Sequence, residues 1–188
     1  MAHSVAARDI RHMDMDPRVQ IGTARCSQPY RASLLNISAM SYGALSDNAV
    51  RALNRGARSG DFYHNTGEGG LSDFHLEYGA DLVWQIGTGY FGCRTGEGRF
   101  DVEKFRAQAA DPQVKMIELK LSQGAKPGHG GVLPASKISP EIAEARGVPM
   151  GVDCVSPASH PEFSTPIEMM QFIKTLRDNA SGKPVGFK

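Results

Sequence analysis

The sequence predicts an α/β fold built on a parallel sheet, and three observations support this fold class. With 40% hydrophobic and 22% charged residues, the 188-residue chain has the composition of an ordinary globular protein. Short apolar runs alternate with segments of helical periodicity, as where helices connect parallel strands. Glycine-rich segments follow several of the apolar runs, which is where such folds place their ligand sites.

Charge and cysteine content exclude several classes of function. A net charge of +1 gives no reason to expect nucleic acid as the main partner, because phosphate binding of that kind needs a concentrated excess of Lys and Arg. No apolar run is long enough for a transmembrane helix, and no targeting signal is visible. The three cysteines are too few and too widely spaced for a disulfide framework. We therefore expect a cytoplasmic protein.

The first elements divide the chain at residue 33. Residues 1–32 are polar and lack helical or strand periodicity, which predicts an irregular arm. Leu34, Leu35 and Ile37 then predict a buried strand that ends in a loop of small residues. Ser46 has the position of an N-cap, and a helix is predicted over residues 47–59.

The remaining elements repeat the strand and helix alternation. Apolar runs predict strands over residues 82–86 and 114–120, with a helix over 101–110 between them. Ser139 followed by Pro140, and Thr165 followed by Pro166, each predict a helix start. Residues 184–188 have the pattern of a further strand. Because no loop or helix follows this strand, we expect the sequence to be part of a longer one.

Three glycine-rich segments, at residues 66–70, 87–92 and 123–131, are the main candidates for a ligand site. Glycines let backbone N–H groups approach a ligand closely, and two of these segments follow predicted strands. One such loop alone is more often a tight connection, but three converging loops favour a site. None matches a nucleotide-binding fingerprint.

Charged residues near these loops suggest how a ligand is bound. Lys120 ends a strand, Lys126 lies in the loop after it, and Lys188 ends the chain, so all three amines are candidates to face one anionic or electron-rich ligand. Glu68 lies between glycines, where it is either an exposed acid or a carboxylate held at a site. The six histidines have no metal-ligand spacing, so no metal site is expected. Cys93 is expected to be a buried, inert thiol.

Three motifs resemble the FMN-binding synthase domain of glutamate synthase, and more closely its single-domain branch, where a histidine is common at the position of His129. The resemblance covers residues 33–188 and depends on the order of the motifs. They read NISAMSYGALS at 36–46, NTGEGG at 65–70 and LKLSQGAKPGHGGVLP at 119–134.

This resemblance implies a (β/α)₈ TIM barrel, of which residues 33–188 would form the N-terminal half behind the irregular arm. It also implies an oxidoreductase of glutamate biosynthesis that holds FMN at the carboxyl ends of the strands. There 2-oxoglutarate and ammonia, free or derived from glutamine, would form 2-iminoglutarate, which flavin hydride transfer converts to glutamate. The electron donor is not implied.

The resemblance also assigns site residues. The loop after the first strand and polar residues at strand ends are expected to contact FMN. Other polar residues are expected to line the 2-oxoglutarate side of the site and to act in catalysis. The cofactor contacts are Met40, Ser41, Tyr42, Gly43, Gln85, Lys120 and Lys188, and the catalytic set is Glu68, Lys120, Gln123 and Lys126.

Departures from the family pattern leave alternatives open. Tyr90 stands where larger glutamate synthases have arginine, so a related flavin-barrel reaction on another substrate is one alternative. The iron–sulfur ligands and the flavin phosphate loop of the family come after residue 188. The isolated chain is therefore expected to bind FMN weakly or not at all, to make no glutamate, and to associate into dimers or aggregates. A non-catalytic scaffold or oligomerising remnant is the other alternative.

Overall fold

A parallel sheet forms the centre of the computed structural model, which describes residues 9, 11, 14–123 and 128–188. The strands are β1 (Arg18–Ile21), β2 (Tyr30–Ser33), β3 (His64–Asn65), β4 (Leu82–Ile86), β5 (Val114–Leu119), β6 (Val132–Leu133), β7 (Cys154–Val155) and β8 (Val185–Phe187). The α-helices are α1 (Asp47–Gly60), α2 (Asp73–Leu76), α3 (Val102–Ala109), α4 (Pro140–Arg146) and α5 (Pro166–Asn179). No helix in these described stretches is long and apolar enough to cross a membrane.

Strand order confirms the predicted α/β class. The strands run β3-β4-β5-β8, and every neighbouring pair is parallel. Each connection between neighbouring strands of this sheet contains at least one helix, as is usual for parallel pairing. The four strands form an open sheet, so the complete (β/α)₈ barrel stays a prediction.

Helix starts follow the capping residues read from the sequence. The Ser46 hydroxyl accepts from Ala49 N at 3.2 Å and begins α1, and Ser139 accepts from Ile142 N at 3.3 Å to begin α4. Thr165 and Glu168 form a capping box at the start of α5. Helix α1 ends one residue later than predicted, because Asp61 adopts the left-handed conformation that terminates it.

The central sheet has one apolar face and one face that becomes polar toward its carboxyl end. Leu82, Trp84 and Ile86 of β4 face a core that includes Phe105 of α3 and Leu176 of α5, all fully or almost fully buried. Because side chains alternate along a strand, Val83 and Gln85 of β4 and Met116 and Glu118 of β5 face the opposite side, as does Lys120 directly after β5. This second face positions the candidate site.

The prediction that residues 1–32 form an irregular arm is wrong for two segments. Strands β1 and β2 form an antiparallel hairpin, in which Ile21 pairs with Tyr30. Tyr30 and Ala32 pack against Val83 and Met116, so the hairpin covers the amino end of the second face. These strands are short and acquire their buried face only by docking on the sheet, which explains why periodicity did not reveal them.

The prediction of a buried strand at residues 34–37 is also wrong in part. Leu34 and Leu35 are 68% and 69% exposed, and only Ile37 continues toward the sheet, through a parallel bridge to His64. The next sheet strand is the two-residue β3, which is too short to produce a detectable period.

Candidate active site

A charged cluster lies at the carboxyl end of the sheet. Glu68 Oε1 accepts hydrogen bonds from Lys120 Nζ at 2.8 Å and from Gln123 Nε2 at 3.0 Å. The Glu68 and Lys120 side chains are 18% and 19% exposed, so the pair is shielded yet still reachable by a ligand. The segment that follows β5 and the loop at residues 66–70 therefore bring together three of the four expected catalytic residues. The fourth, Lys126, lies outside the described residues.

A second polar layer lies one step deeper on the same face. Glu118 Oε2 accepts from Asn65 Nδ2 at 3.0 Å and from the amide nitrogen of Gln85. Gln85 is 1% exposed, so its amide is oriented by Glu118 and not by solvent. Asn65 also accepts from Gly67 N at 3.0 Å, which fixes the start of the loop that carries Glu68. The network links three strands, β3, β4 and β5, beneath the Glu68–Lys120 pair.

The predicted flavin-contact loop, Met40–Gly43, lies directly against the loop that carries Glu68. A Cβ at Gly67 would lie 2.7 Å from Ser41 N, and one at Gly69 would lie 3.1 Å from the Tyr42 carbonyl oxygen. Met40 and Ser41 are half-buried, whereas the Tyr42 ring packs edge-on against Phe74 at 4.8 Å. Tyr42 therefore presents its backbone to the site.

Lys188 is aligned with Lys120 by the sheet register. Lys188 N donates to Leu119 O at 2.9 Å, and Leu121 N donates to Lys188 O at 3.0 Å. These two bonds flank Lys120, so the two lysines occupy the same level of neighbouring parallel strands and share a face. Together with the contacts above, this places Glu68, Lys120, Gln123 and Lys188 at one end of the sheet.

Tyr90 lies in the core and does not face the site, and the alternative of a reaction on another substrate stays a prediction. Its side chain is fully buried, and its hydroxyl bonds to His160 Nδ1 at 3.0 Å. His160 Nε2 in turn donates to the Lys120 carbonyl oxygen at 2.8 Å, since a carbonyl can only accept. Burial lowers the pKa of His160, which favours the neutral ring, and in that ring Nδ1 accepts from the Tyr90 hydroxyl.

A conservative substitution tests this assignment. Tyr90→Phe in the full-length protein should lower the free energy of unfolding by about 1 kcal/mol, because one buried hydrogen bond is lost. The KM for 2-oxoglutarate, the substrate that the resemblance implies, should change by less than about twofold, since the hydroxyl lies in the core. Denaturant unfolding and steady-state kinetics check both values. A KM that rises steeply with unchanged stability would show that Tyr90 contacts substrate.

Two buried histidines support the Met40–Gly43 loop from below. His75 Nε2 donates to the Met40 carbonyl oxygen at 3.0 Å, and His75 Nδ1 bonds to the Ser72 hydroxyl at 2.8 Å. The His64 ring lies 5.2 Å from that of His75, and neither of its nitrogens has a partner among the described residues. Burial lowers the pKa of His64 to about 4 and that of His75 to about 4.

These lowered values predict that the fold is sensitive to acid. Below a pH near the unfolded-state pKa of about 6.5, the unfolded chain binds protons that the buried rings do not, so stability falls as pH drops toward 4. For the pair we expect a loss of about 4 kcal/mol between about pH 8 and pH 5. His64→Leu should remove about half of this dependence, because His64 forms no hydrogen bond that the change would break. Thermal unfolding across this pH range measures both slopes, and equal slopes would contradict the prediction.

Metal binding finds no support in the described part of the chain. No group of three or more His, Cys, Asp or Glu side chains is placed to hold an ion there. Cys26, Cys93 and Cys154 are unpaired, and Cys93 is fully buried. Burial raises the pKa of the Cys93 thiol, in agreement with an inert role.

Several residues that organise the site were not identified from sequence. Glu118 lies within the strand predicted over residues 114–120, but its partners depend on strand register. Nothing in the local sequence distinguishes a histidine or arginine that supports a loop from one on the surface. The residues missed are Asn65, His75, Glu118, Arg146 and His160.

Comparison with known proteins adds independent information. A family model described as the conserved region in glutamate synthase matches residues 2–188, a wider range than the motifs covered. A glutamate synthase large subunit-like protein, YerD, of Bacillus subtilis (strain 168) is 47% identical over 170 residues, which are 89% of this chain and 32% of the relative.

Two further relatives carry names that include a coenzyme. The archaeal-type glutamate synthase (NADPH) of Thermotoga maritima is 35% identical over 176 residues, 93% of this chain and 32% of the relative. The archaeal glutamate synthase (NADPH) of Methanocaldococcus jannaschii is 34% identical over 142 residues, 76% of this chain and 25% of the relative. The chain thus spans a quarter to a third of the length of these curated relatives.

Proposed function

Because this chain belongs to the glutamate synthase family, we propose that its sheet carries part of the FMN and substrate site of a glutamate synthase-type oxidoreductase. The reaction proposed is the reductive conversion of 2-oxoglutarate and ammonia to glutamate through 2-iminoglutarate. The ammonia is free or derived from glutamine. The domain that performs it would comprise residues 33–188 of this chain and further strands of a (β/α)₈ barrel.

The chemistry of the donor set fits a flavin. The pyrimidine edge of the isoalloxazine ring presents carbonyl oxygens, and Lys120 and Lys188 supply two N–H donors at one level of the sheet. The close contact of Gly67 with Ser41 leaves no room for a side chain at residue 67, so the two loops meet backbone to backbone there, and the Met40–Gly43 backbone would be the surface for the flat ring. Gln85 would be the third polar contact, oriented by Glu118.

Each group of the cluster has a separate role in the proposal. FMN, when bound and reduced, would supply a hydride to the imine carbon, and the imine nitrogen would take up a proton as the C=N bond becomes the C–N bond of glutamate. Lys120 stabilises negative charge at the pyrimidine edge, and Lys126 and Gln123 bind the dicarboxylate. Glu68 holds Lys120 and Gln123 in fixed positions, since one carboxylate oxygen accepts from both.

A single observation carries the proposal: the ion pair between Glu68 and Lys120 lies at the carboxyl end of a parallel sheet, beside the Met40–Gly43 loop. Parallel α/β folds place their ligand sites at this end. A scaffold would have no need for a shielded ion pair at this edge, because apolar packing would stabilise it as well. This observation favours the flavoenzyme over the scaffold alternative.

The remaining partners follow from the family and from chemistry. NADPH is the electron donor to be tested first, because the names of the Thermotoga and archaeal relatives include it. An iron–sulfur cluster, if present, would be ligated by residues outside this chain. Unpaired thiols at Cys26, Cys93 and Cys154 are compatible with a reducing cytoplasm. The alternative substrate stays open on two positions where this chain differs from larger glutamate synthases, the buried Tyr90 and the exposed His129.

Purification of the full-length protein tests the proposal. We expect a flavin absorbance spectrum, release of FMN on denaturation, and formation of glutamate from 2-oxoglutarate and ammonium with NADPH. Bound FMN without glutamate formation would support a related reaction on another substrate. A colourless protein that does not bind added FMN would support the scaffold.

A further inference from the structure

The Arg146 side chain, at the end of helix α4, lies buried beneath the candidate site. Residue Arg146 is 8% exposed. Its Nη2 donates to the Tyr42 carbonyl oxygen at 3.2 Å, its Nη1 lies 3.7 Å from Cys154 Sγ, and its guanidinium lies 5.0 Å from the centre of the Phe91 ring. These contacts tie α4 to the Met40–Gly43 loop.

This buried cation has no carboxylate partner in the described ranges of the chain, and its Nε also lacks a hydrogen bond there. Burial of an unpaired charge costs several kcal/mol, which carbonyl and ring contacts offset only when they are well aligned. A guanidinium held in this way has little freedom to move, so the groups that it touches are held with it.

Arg146 also lies between the two loops of the site. A Cβ at Gly43 or at Gly69 would come within 3.2 Å of Arg146 Nη2, so both glycines permit its close approach. The backbone next to Arg146 also packs closely against the Glu68 loop, because a Cβ at Gly70 would clash with the Ala145 carbonyl oxygen. One side chain thus contacts both the Met40–Gly43 loop and the loop that carries Glu68.

We propose that Arg146 is a positioning residue that sets the separation between the Met40–Gly43 loop and the Glu68 loop. It acts through the Tyr42 carbonyl and not by touching the ligand. The inference rests on the proposed function, because that function makes the Met40–Gly43 loop the surface for FMN. Loss of the guanidinium should therefore loosen this loop even when no FMN is bound.

The test compares two cations that contact the same ring. Arg94 lies 5.5 Å from the centre of the Phe91 ring and has no hydrogen bond to the Tyr42 carbonyl, so Arg94→Met is the matched control. Arg146→Met in the full-length protein should weaken FMN binding about tenfold or more, as loss of a charged hydrogen bond predicts. Arg146→Lys keeps the positive charge but loses the planar set of guanidinium N–H donors. We expect this variant to bind FMN about threefold or more weakly.

Two measurements separate this inference from the proposed function. Fluorescence titration gives the FMN dissociation constant, and hydrogen exchange in the FMN-free protein reports on the Gly43 and Leu45 amides. Faster exchange and weaker binding in both Arg146 variants, with Arg94→Met unchanged, would support the positioning role. Wild-type exchange and affinity in a folded Arg146→Met, or in Arg146→Lys if the first variant does not fold, would overturn it. A wild type that binds no FMN ends the proposed function, while exchange still tests the loop contact.

Discussion

Replacing Lys120 by methionine in the full-length protein is expected to lower the rate of glutamate formation by about a hundredfold, as for removal of an electrostatic group at a reacting centre. Stability should fall by about 1 to 2 kcal/mol, because the Glu68 carboxylate loses one of its two donors but keeps Gln123 and some contact with solvent. Methionine keeps the length and apolar stem of lysine, so the sheet should pack as before. Steady-state kinetics and denaturant unfolding give the two values.

Lys115→Met is the matched control for this result. Lys115 lies at the opposite end of the same strand, where its Nζ is 3.6 Å from Asp81 Oδ1. Its loss should leave activity within about twofold of the wild type, since it is far from the site end of the sheet. A similar loss of activity and stability in both variants would identify Lys120 as a structural residue.

Replacing Gly67 by alanine should abolish FMN binding. Gly67 has a φ of +67°, and a Cβ there would lie 2.7 Å from Ser41 N, so the two loops must separate. Backbone atoms cannot move aside as the end of a flexible side chain can. We expect FMN affinity to fall at least about a hundredfold, because the surface for the ring is displaced.

Gly79→Ala separates loop displacement from backbone strain. Gly79 has a similar φ of +72°, but a Cβ there would meet no atom within 4 Å. Both substitutions carry a strain of about 1 to 2 kcal/mol, whereas only Gly67→Ala disturbs the site. Isothermal titration with FMN measures the difference. Equal losses of FMN affinity in the two variants would contradict the prediction. They would mean that backbone strain, by destabilising the fold, accounts for the whole effect.

Much of the fold was predictable because the central strands and capped helices carry strong local signals. Strand β4 was placed at its observed bounds, and β5 ended one residue earlier than expected. The hairpin of β1 and β2 was missed, since its buried face exists only against Val83 and Met116. Leu34 and Leu35 led to the prediction of a buried strand that is not there, because the sequence alone does not distinguish exposed apolar residues from buried ones.

In the candidate site, too, some residues could be predicted from the sequence and others could not. Glu68, Lys120 and Gln123 were named from motifs, and the structure brings them within hydrogen-bond distance. Arg146 and His160 were not predicted, because they act on backbone carbonyls of loops that are distant in sequence. Such contacts depend on how α4 and the segment before α5 pack against the sheet, which no local pattern encodes.

A crystal structure of the full-length protein with FMN tests the central claim most directly. The account predicts that the isoalloxazine ring lies against the backbone of Met40–Gly43, with its pyrimidine edge toward Lys120 and Lys188. The Tyr42 carbonyl should still accept from Arg146. Flavin bound at another face of the sheet, or Lys120 directed away from the ring, would contradict the account.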